Sequence, residues 1–260
     1  MSELQMGNFA SARGGDCMSY SEHNLKGILT HASLYQALDN AQLERVAAAT
    51  KCIRLKKDTT VVQRGDVSHG VYWIVYGQVS LTCLFLNGGE KVVALLDSNK
   101  CFGIGEMLLN KPFLTNALTT DDAMLLLTRP EPIMQIAQEN FSFAREIMTC
   151  MGRQFYTLMA DIESYSLFSA KQRMVQFLIR QSSRQNDADT VELLTNKNLI
   201  ASRLSLTPET FSRVLRELSD TGVISVSGKH IHILDRQQME LLAPVPARNL
   251  PMSMPRGLTV

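Results

Sequence analysis

The sequence predicts an α+β chain: an N-terminal β domain of jelly-roll type, one long helix, and a C-terminal pair of short helices followed by a β wing. Three observations predict it. Short apolar runs broken by turn residues recur between residues 51 and 128. The period becomes helical from residue 131 onward. Residues 195–233 then hold two helical patterns with a tight connection and a hairpin pattern. A length of 260 residues suits one large domain or two smaller ones. With 45% hydrophobic and 20% charged residues, a disordered, collagen-like or acidic-tail chain is excluded.

Residues 1–22 are polar and small, without periodicity, and read as a flexible arm. Residues 23–130 are assigned to the jelly roll. Strands are expected at 59–62, 70–76, 78–86, 91–96 and 123–128. Arg64-Gly65-Asp66 and Tyr76-Gly77 mark turns, and Asn87-Gly88-Gly89 between two apolar runs is a hairpin signal. Many short strands of this kind fit a sandwich or jelly roll, with a generic β-barrel as the alternative.

Residues 131–166 are expected to be helical. Ile147, Met151, Phe155, Leu158, Ile162 and Tyr165 follow one another at spacings of 3 or 4, which is a heptad seam. Two arrangements fit it: a helix packed on its own β domain, or a helix paired with a second chain. Met148 and Met159 form a second apolar set, so both surfaces can be used. Residues 167–242 form the next segment. Thr195 is the expected N-cap of a helix over 196–204, and Ser205-Leu206-Thr207 is the connection. Thr207 then caps a second helix with Pro208 at its first position, where a missing N–H costs nothing. Phe211, Val214, Leu215 and Leu218 make its buried stripe, and Gly222 ends it. Residues 223–226 and 230–233 read as a two-stranded wing. Residues 243–260, with four of the eight prolines, read as a flexible tail.

Two short helices joined this tightly form a helix-turn-helix, whose second helix enters the DNA major groove. Its exposed side chains suit that task. Arg213 can donate twice to guanine, Glu209 can accept from cytosine N4, and Ser212 can do either. Alternatively, Glu209 and Arg213 are an ordinary i,i+4 ion pair on a solvated face. Charge permits a nucleic-acid partner without demanding one. The net formal charge is +1, with 14 basic and 17 acidic residues in 1–165 against 10 and 8 in 166–240.

The five cysteines are scattered and odd in number, which fits free thiols in a reducing cytoplasm. No apolar run approaches the roughly 20 residues of a membrane span. The start of the chain, with Glu3 and no apolar core, does not read as an export signal. No nucleophile with an adjacent base, paired carboxylates, Gly-rich phosphate loop or zinc spacing points to an enzyme.

The run Thr207-Pro208-Glu209-Thr210-Phe211-Ser212-Arg213-Val214-Leu215, with Gly222, Ser227-Gly228-Lys229 and residues 231–236, resembles the C-terminal domain of the Crp/Fnr transcription regulators. The nearest likeness is to the Dnr type, regulators of denitrification that respond to nitric oxide. It covers about residues 24–240 and includes Arg64-Gly65-Asp66, residues 71–77 with Tyr72 and Trp73, and residues 102–106. The resemblance implies a cyclic-nucleotide-binding-like jelly roll, a dimerisation helix over 131–166 and a winged helix-turn-helix. It also implies a cytoplasmic homodimer on double-stranded DNA with RNA polymerase as a partner, as an activator or as a repressor. By the resemblance, Glu209, Ser212 and Arg213 read a TTGAT-like half-site in an inverted pair, and Lys197, Asn198, Thr207, Thr210 and Lys229 touch phosphates. The seam residues become dimer contacts.

The resemblance also frames the effector. Cyclic AMP needs a Gly-Glu pair, present as Gly105-Glu106, and a later Arg-Ser pair. The matching stretch here is Phe113-Leu114-Thr115-Asn116, which brings no arginine to a buried phosphate. Cyclic AMP is therefore discounted. An iron–sulfur cluster needs several cysteines grouped near the N-terminus, where only Cys17 stands, and is rejected. Haem, with nitric oxide, stays as a candidate, and redox control through the thiols as another. Among His23, His31, His69, Cys83 and Cys101, His31 is taken as the candidate haem ligand; His230 and His232 belong to the wing. The competing reading is a cyclic-nucleotide-responsive regulator, or a cyclic-nucleotide-binding module acting without DNA.

Overall fold

The computed structural model describes residues 16–18, 22–85, 89–184, 189–193 and 195–243. The chain divides into two compact units, residues 1–160 and 161–260. The hairpin tip at 86–88, most of the expected arm and residues 244–260 of the expected tail lie outside the described residues.

The first unit is a sandwich of two antiparallel sheets. One has five strands in the order β1 (Asp16–Met18), β2 (Thr50–Leu55), β9 (Ala123–Thr128), β4 (Val71–Tyr76), β7 (Cys101–Phe102). The other has four, in the order β3 (Thr60–Val62), β8 (Asn116–Thr119), β5 (Val79–Leu84), β6 (Glu90–Leu96). Strand β9 is buried along its whole length because both of its faces are covered. Leu125 and Leu127 join the inter-sheet core with Ile53, Tyr72, Ile74 and Phe113. Met124 and Leu126 face the other way, into a core with Leu29, Tyr35, Ile133 and Phe143. This explains why residues 123–127 are a continuous apolar run and not an alternating one.

The helices of that outer layer are α1 (Glu22–Leu29), α2 (Asn40–Ala48), α3 (Ile104–Leu109), α4 (Pro130–Glu139) and the long α5 (Phe141–Leu167). Asp39 caps α2 through a reciprocal capping box with Gln42. At the β4–β5 turn Gly77 has φ of 86°, and a Cβ there would lie 2.4 Å from the Asp122 carbonyl oxygen, so only glycine fits.

The expected strand positions hold to within a residue or two at each end described. The expectation was incomplete elsewhere. The arm contains β1, which pairs with β2 (Cys17 opposite Ile53), and β2, β7 and β8 were not foreseen.

The second unit has one core, built from α6 (Ala170–Arg184), α7 (Lys197–Arg203), α8 (Pro208–Asp220) and α9 (Arg236–Leu242) with a small sheet. That sheet corrects the two-stranded wing. It has three antiparallel strands in the order β10 (Thr190–Glu192), β12 (His230–Ile233), β11 (Ile224–Ser227). Phe211, Val214, Leu215 and Leu218 on α8 are buried against Met174, Leu178, Ile200 and Ile231. The unit boundary falls inside α5, so residues 161–167 of that helix belong to the second unit.

Candidate nucleic-acid interface

Helix α8 begins as its sequence dictates. Thr207 has extended backbone, its hydroxyl accepts from the Thr210 N–H at 3.2 Å, and Pro208 follows at the first helical position. The start of α7 differs from expectation: Asn196, not Thr195, is the N-cap, accepting from the Asn198 N–H at 2.8 Å. Asparagine sits one residue nearer the first helical N–H groups, and the carboxamide oxygen reaches them. The connection turns at Ser205, which has φ of 55° in the left-handed region where glycine is the usual choice. The Leu206 N–H then closes on the Ala201 carbonyl at 2.9 Å. Gly222, with φ of 73°, ends α8, and the Val223 N–H returns to the Leu218 carbonyl at 3.1 Å. Ser227 faces His230 across a two-residue turn, which forms the wing tip with Gly228 at φ of 61°.

This frame leaves Glu209, Ser212, Arg213 and Arg216 exposed on α8, opposite the buried stripe. Among the described residues no carboxylate pairs with Arg213, so the i,i+4 ion pair with Glu209 is not formed. The Glu209 carboxyl is held below its usual range by its own backbone N–H at the helix N-terminus and by the Thr207 hydroxyl. Lys197, Asn198, Thr207 and Lys229 are exposed nearby on α7, the connection and the wing. Thr210 is half-buried, and its hydroxyl lies 3.1 Å from that of Thr207. Lys171 on α6 pairs with Glu217 on α8 at 2.6 Å.

One group had no signal in the sequence. Arg203, at the end of α7, donates to the Asp161 carboxylate at 2.6 Å and to the Tyr165 hydroxyl at 2.5 Å. That hydroxyl donates in turn to the Arg203 carbonyl at 2.7 Å. The ion pair is largely buried, its side chains 18% and 13% exposed. Asp161 and Tyr165 lie one turn apart on α5, but about 40 residues separate them from Arg203, too far for any local pattern.

The expected seam on α5 is therefore split. Tyr165 belongs to the Arg203 cluster. Ile147, 6% exposed, and Met151 pack on the first unit's own core, so they are not a free face for a second chain. Phe155, Leu158 and Ile162 remain more than half exposed, with Met148 and Tyr156 beside them.

In the first unit, His31 is exposed at a shallow cleft of about 480 Å³, lined also by Gly27, Ile28, Trp73, Val75, Ser98 and Asn99. The stretch 113–116 brings no cation: Phe113 is buried edge-on against Tyr72, and Asn116 accepts from the Arg64 N–H at 2.8 Å. Among the described residues no group of three or more His, Cys, Asp or Glu is placed to hold a metal ion. No helix among them is long and apolar enough to cross a membrane.

A capped helix presenting an arginine and a glutamate beside a wing defines a class, the winged helix-turn-helix proteins. Comparison with known proteins narrows it. The Crp-like helix-turn-helix domain model matches residues 172–242, and the cyclic nucleotide-binding domain model matches residues 52–140. The chain is 26% identical over 194 residues to the transcriptional activator protein Anr of Pseudomonas protegens, covering 73% of this chain and 79% of that protein. It is 24% identical over 184 residues to the global nitrogen regulator of Nostoc, covering 68% of this chain and 82% of that one. The structure of FixK2 from Bradyrhizobium japonicum has the same fold, with a TM-score of 0.70 at 22% identity, covering 76% of this chain and 99% of that one. The two domains together make a Crp/Fnr-type DNA-binding transcription regulator with an effector-binding domain.

Proposed function

We propose that the protein acts as a cytoplasmic homodimer on an inverted repeat of TTGAT-like half-sites. Glu209, Ser212 and Arg213 read base edges, while Lys197, Asn198, Thr207, Thr210 and Lys229 hold phosphates. The observation that carries this reading is the Arg213 guanidinium, exposed and committed to no protein partner among the described residues. Dimerisation uses Phe155, Leu158 and Ile162, an apolar strip that water otherwise covers. A two-fold pair would place its reading helices about 34 Å apart, one turn of DNA. The likeness to Anr, itself named a transcriptional activator, supports activation through RNA polymerase.

For the effector, His31, in the cleft that Trp73 also lines, would hold a haem through its imidazole, and the haem when bound would supply an iron for nitric oxide. The absence of a cation at residues 113–116 weighs against cyclic AMP. The test is binding of the purified protein to a labelled inverted-repeat duplex and to a scrambled one of equal composition. The expected preference for the repeat is at least 100-fold; equal affinity would defeat the reading. Haem added under anaerobic conditions should give a new absorbance band that nitric oxide shifts and His31→Ala abolishes.

A further inference from the structure

The cysteines looked unrelated along the chain, but two of them meet. Cys101 on β7 and Cys150 on α5, 49 positions apart in the chain, place their sulfurs 3.5 Å from each other. Both are half-buried at the rim of the core between the five-stranded sheet and α5, so small solutes reach them. The Gln154 amide donates toward the Cys101 carbonyl at 3.4 Å and toward the Cys150 sulfur at 3.7 Å, holding both partners from the next turn of the helix. Cys52, by contrast, is buried, and Cys83 stands apart from the pair on β5.

We propose that Cys101 and Cys150 are a reversible dithiol–disulfide site that takes hydrogen peroxide as oxidant, with Cys150 attacking and Cys101 resolving. The charge pattern suits those roles. The Cys150 thiol is pulled down to about 7 by the hydrogen bond from Cys101, helped by Arg153 and Lys100 and opposed by burial. The Cys101 thiol is pushed up, because it keeps the shared proton and is buried. Tyr35, a further titratable group near Cys101, is fully buried and stays a neutral phenol. The thiolate is the nucleophile in such chemistry, so the attacking sulfur is the one that ionises first.

In the first step the Cys150 thiolate forms an S–O bond with the peroxide as the O–O bond breaks. The departing hydroxide takes a proton and leaves as water, and Cys150 becomes a sulfenic acid. In the second step the Cys101 sulfur attacks that of Cys150. The S–S bond forms, the S–O bond breaks, and hydroxide leaves with the Cys101 proton as a second water. Two thiols have lost two electrons, and one peroxide has become two waters. The sulfurs need to close by about 1.5 Å to reach the ~2.05 Å of a disulfide, within the reach of side-chain rotation. A small-molecule thiol restores the pair by exchange.

The bond would staple β7, which runs through Gly103 directly into α3, to the helix whose last turns belong to the second unit. Met148 and Met159 stand two residues before and nine after Cys150. On a helix of about 3.6 residues per turn those two lie on the opposite face, and Phe155 and Ile162 of the apolar strip lie more than about 100° around from Cys150. The thiol chemistry stands whether or not the winged-helix unit binds the operator proposed above.

The test uses the full chain, reduced and then given one equivalent of hydrogen peroxide. It is quenched with an alkylating agent and mapped by mass spectrometry. The expected result is loss of two alkylatable thiols, a cross-linked peptide joining Cys101 to Cys150, and full recovery with dithiothreitol. In Cys101→Ser the Cys150 sulfenic acid should persist and be trapped by a 1,3-dione. In Cys150→Ser the Cys101 thiol should stay alkylatable. The initial rate should rise several-fold from pH 6 to pH 8 in the wild type. Survival of both thiols, pairing of either with a different cysteine, or equal oxidation of Cys101 in Cys150→Ser would overturn the proposal. Circular dichroism of each variant before oxidation shows that it is folded.

Discussion

The two units keep their chemistry in different ways. In the second unit the exposed polar face comes from a short stretch, Lys197 to Lys229, and its geometry is set by helix phase and caps. In the first unit the groups that meet are far apart in the chain. His31 shares a cleft with Trp73 and Asn99, and Cys101 meets Cys150. A local face can be altered residue by residue without disturbing its frame. A non-local site exists only while strand register holds, so anything that shifts the sheet shifts the chemistry with it.

The sharpest way to break this comparison is to melt one unit alone. Phe211 is 1% exposed at the centre of the second core, and Phe211→Ala should cost about 3–5 kcal/mol. The single tryptophan, Trp73, reports the first unit, so its fluorescence transition should stay in place while helix content is lost earlier on heating. A matching fall in both transitions would show the units melt as one. Next in size, Asp161→Ala leaves the Arg203 guanidinium without its carboxylate in a largely buried place, and should cost about 3 kcal/mol by denaturant unfolding.

The reading face should behave the opposite way. Arg213→Ala should lower operator affinity by about 1–3 kcal/mol and relax preference at one guanine, while stability changes by less than about 0.5 kcal/mol. Lys229→Ala should weaken all duplexes alike and reduce the salt slope by about 1, measured by titration at several salt concentrations. The smallest effect is a gain. Ser205→Gly relieves a left-handed serine in the helix connection and should add about 1 kcal/mol, raising the melting temperature of the second unit.

The same contrast explains what could be read in advance. The Thr207-Pro208 start of α8, its buried stripe and the Ser227-Gly228 turn are local signals, and each is where the sequence placed it. Strands β7 and β10 have two and three residues, too few to show a period, and take their structure from pairing with β4 and β12. Heptad spacing makes the α5 seam one stripe, because spacing cannot tell which neighbour each residue meets. Ile147 meets the core of the first unit, Tyr165 meets Arg203, and only the middle is left exposed. Asp161 with Arg203, and Cys101 with Cys150, are partnerships of residues that carry no mark of each other in the chain.

The place where the units divide has a practical edge. A back half begun at residue 167, where the change of pattern suggests a cut, would discard Asp161 and Tyr165, two partners of Arg203. Begun at residue 161, it keeps both anchors. The same few turns of helix decide whether an excised reading head is a sound reagent or a misfolded one.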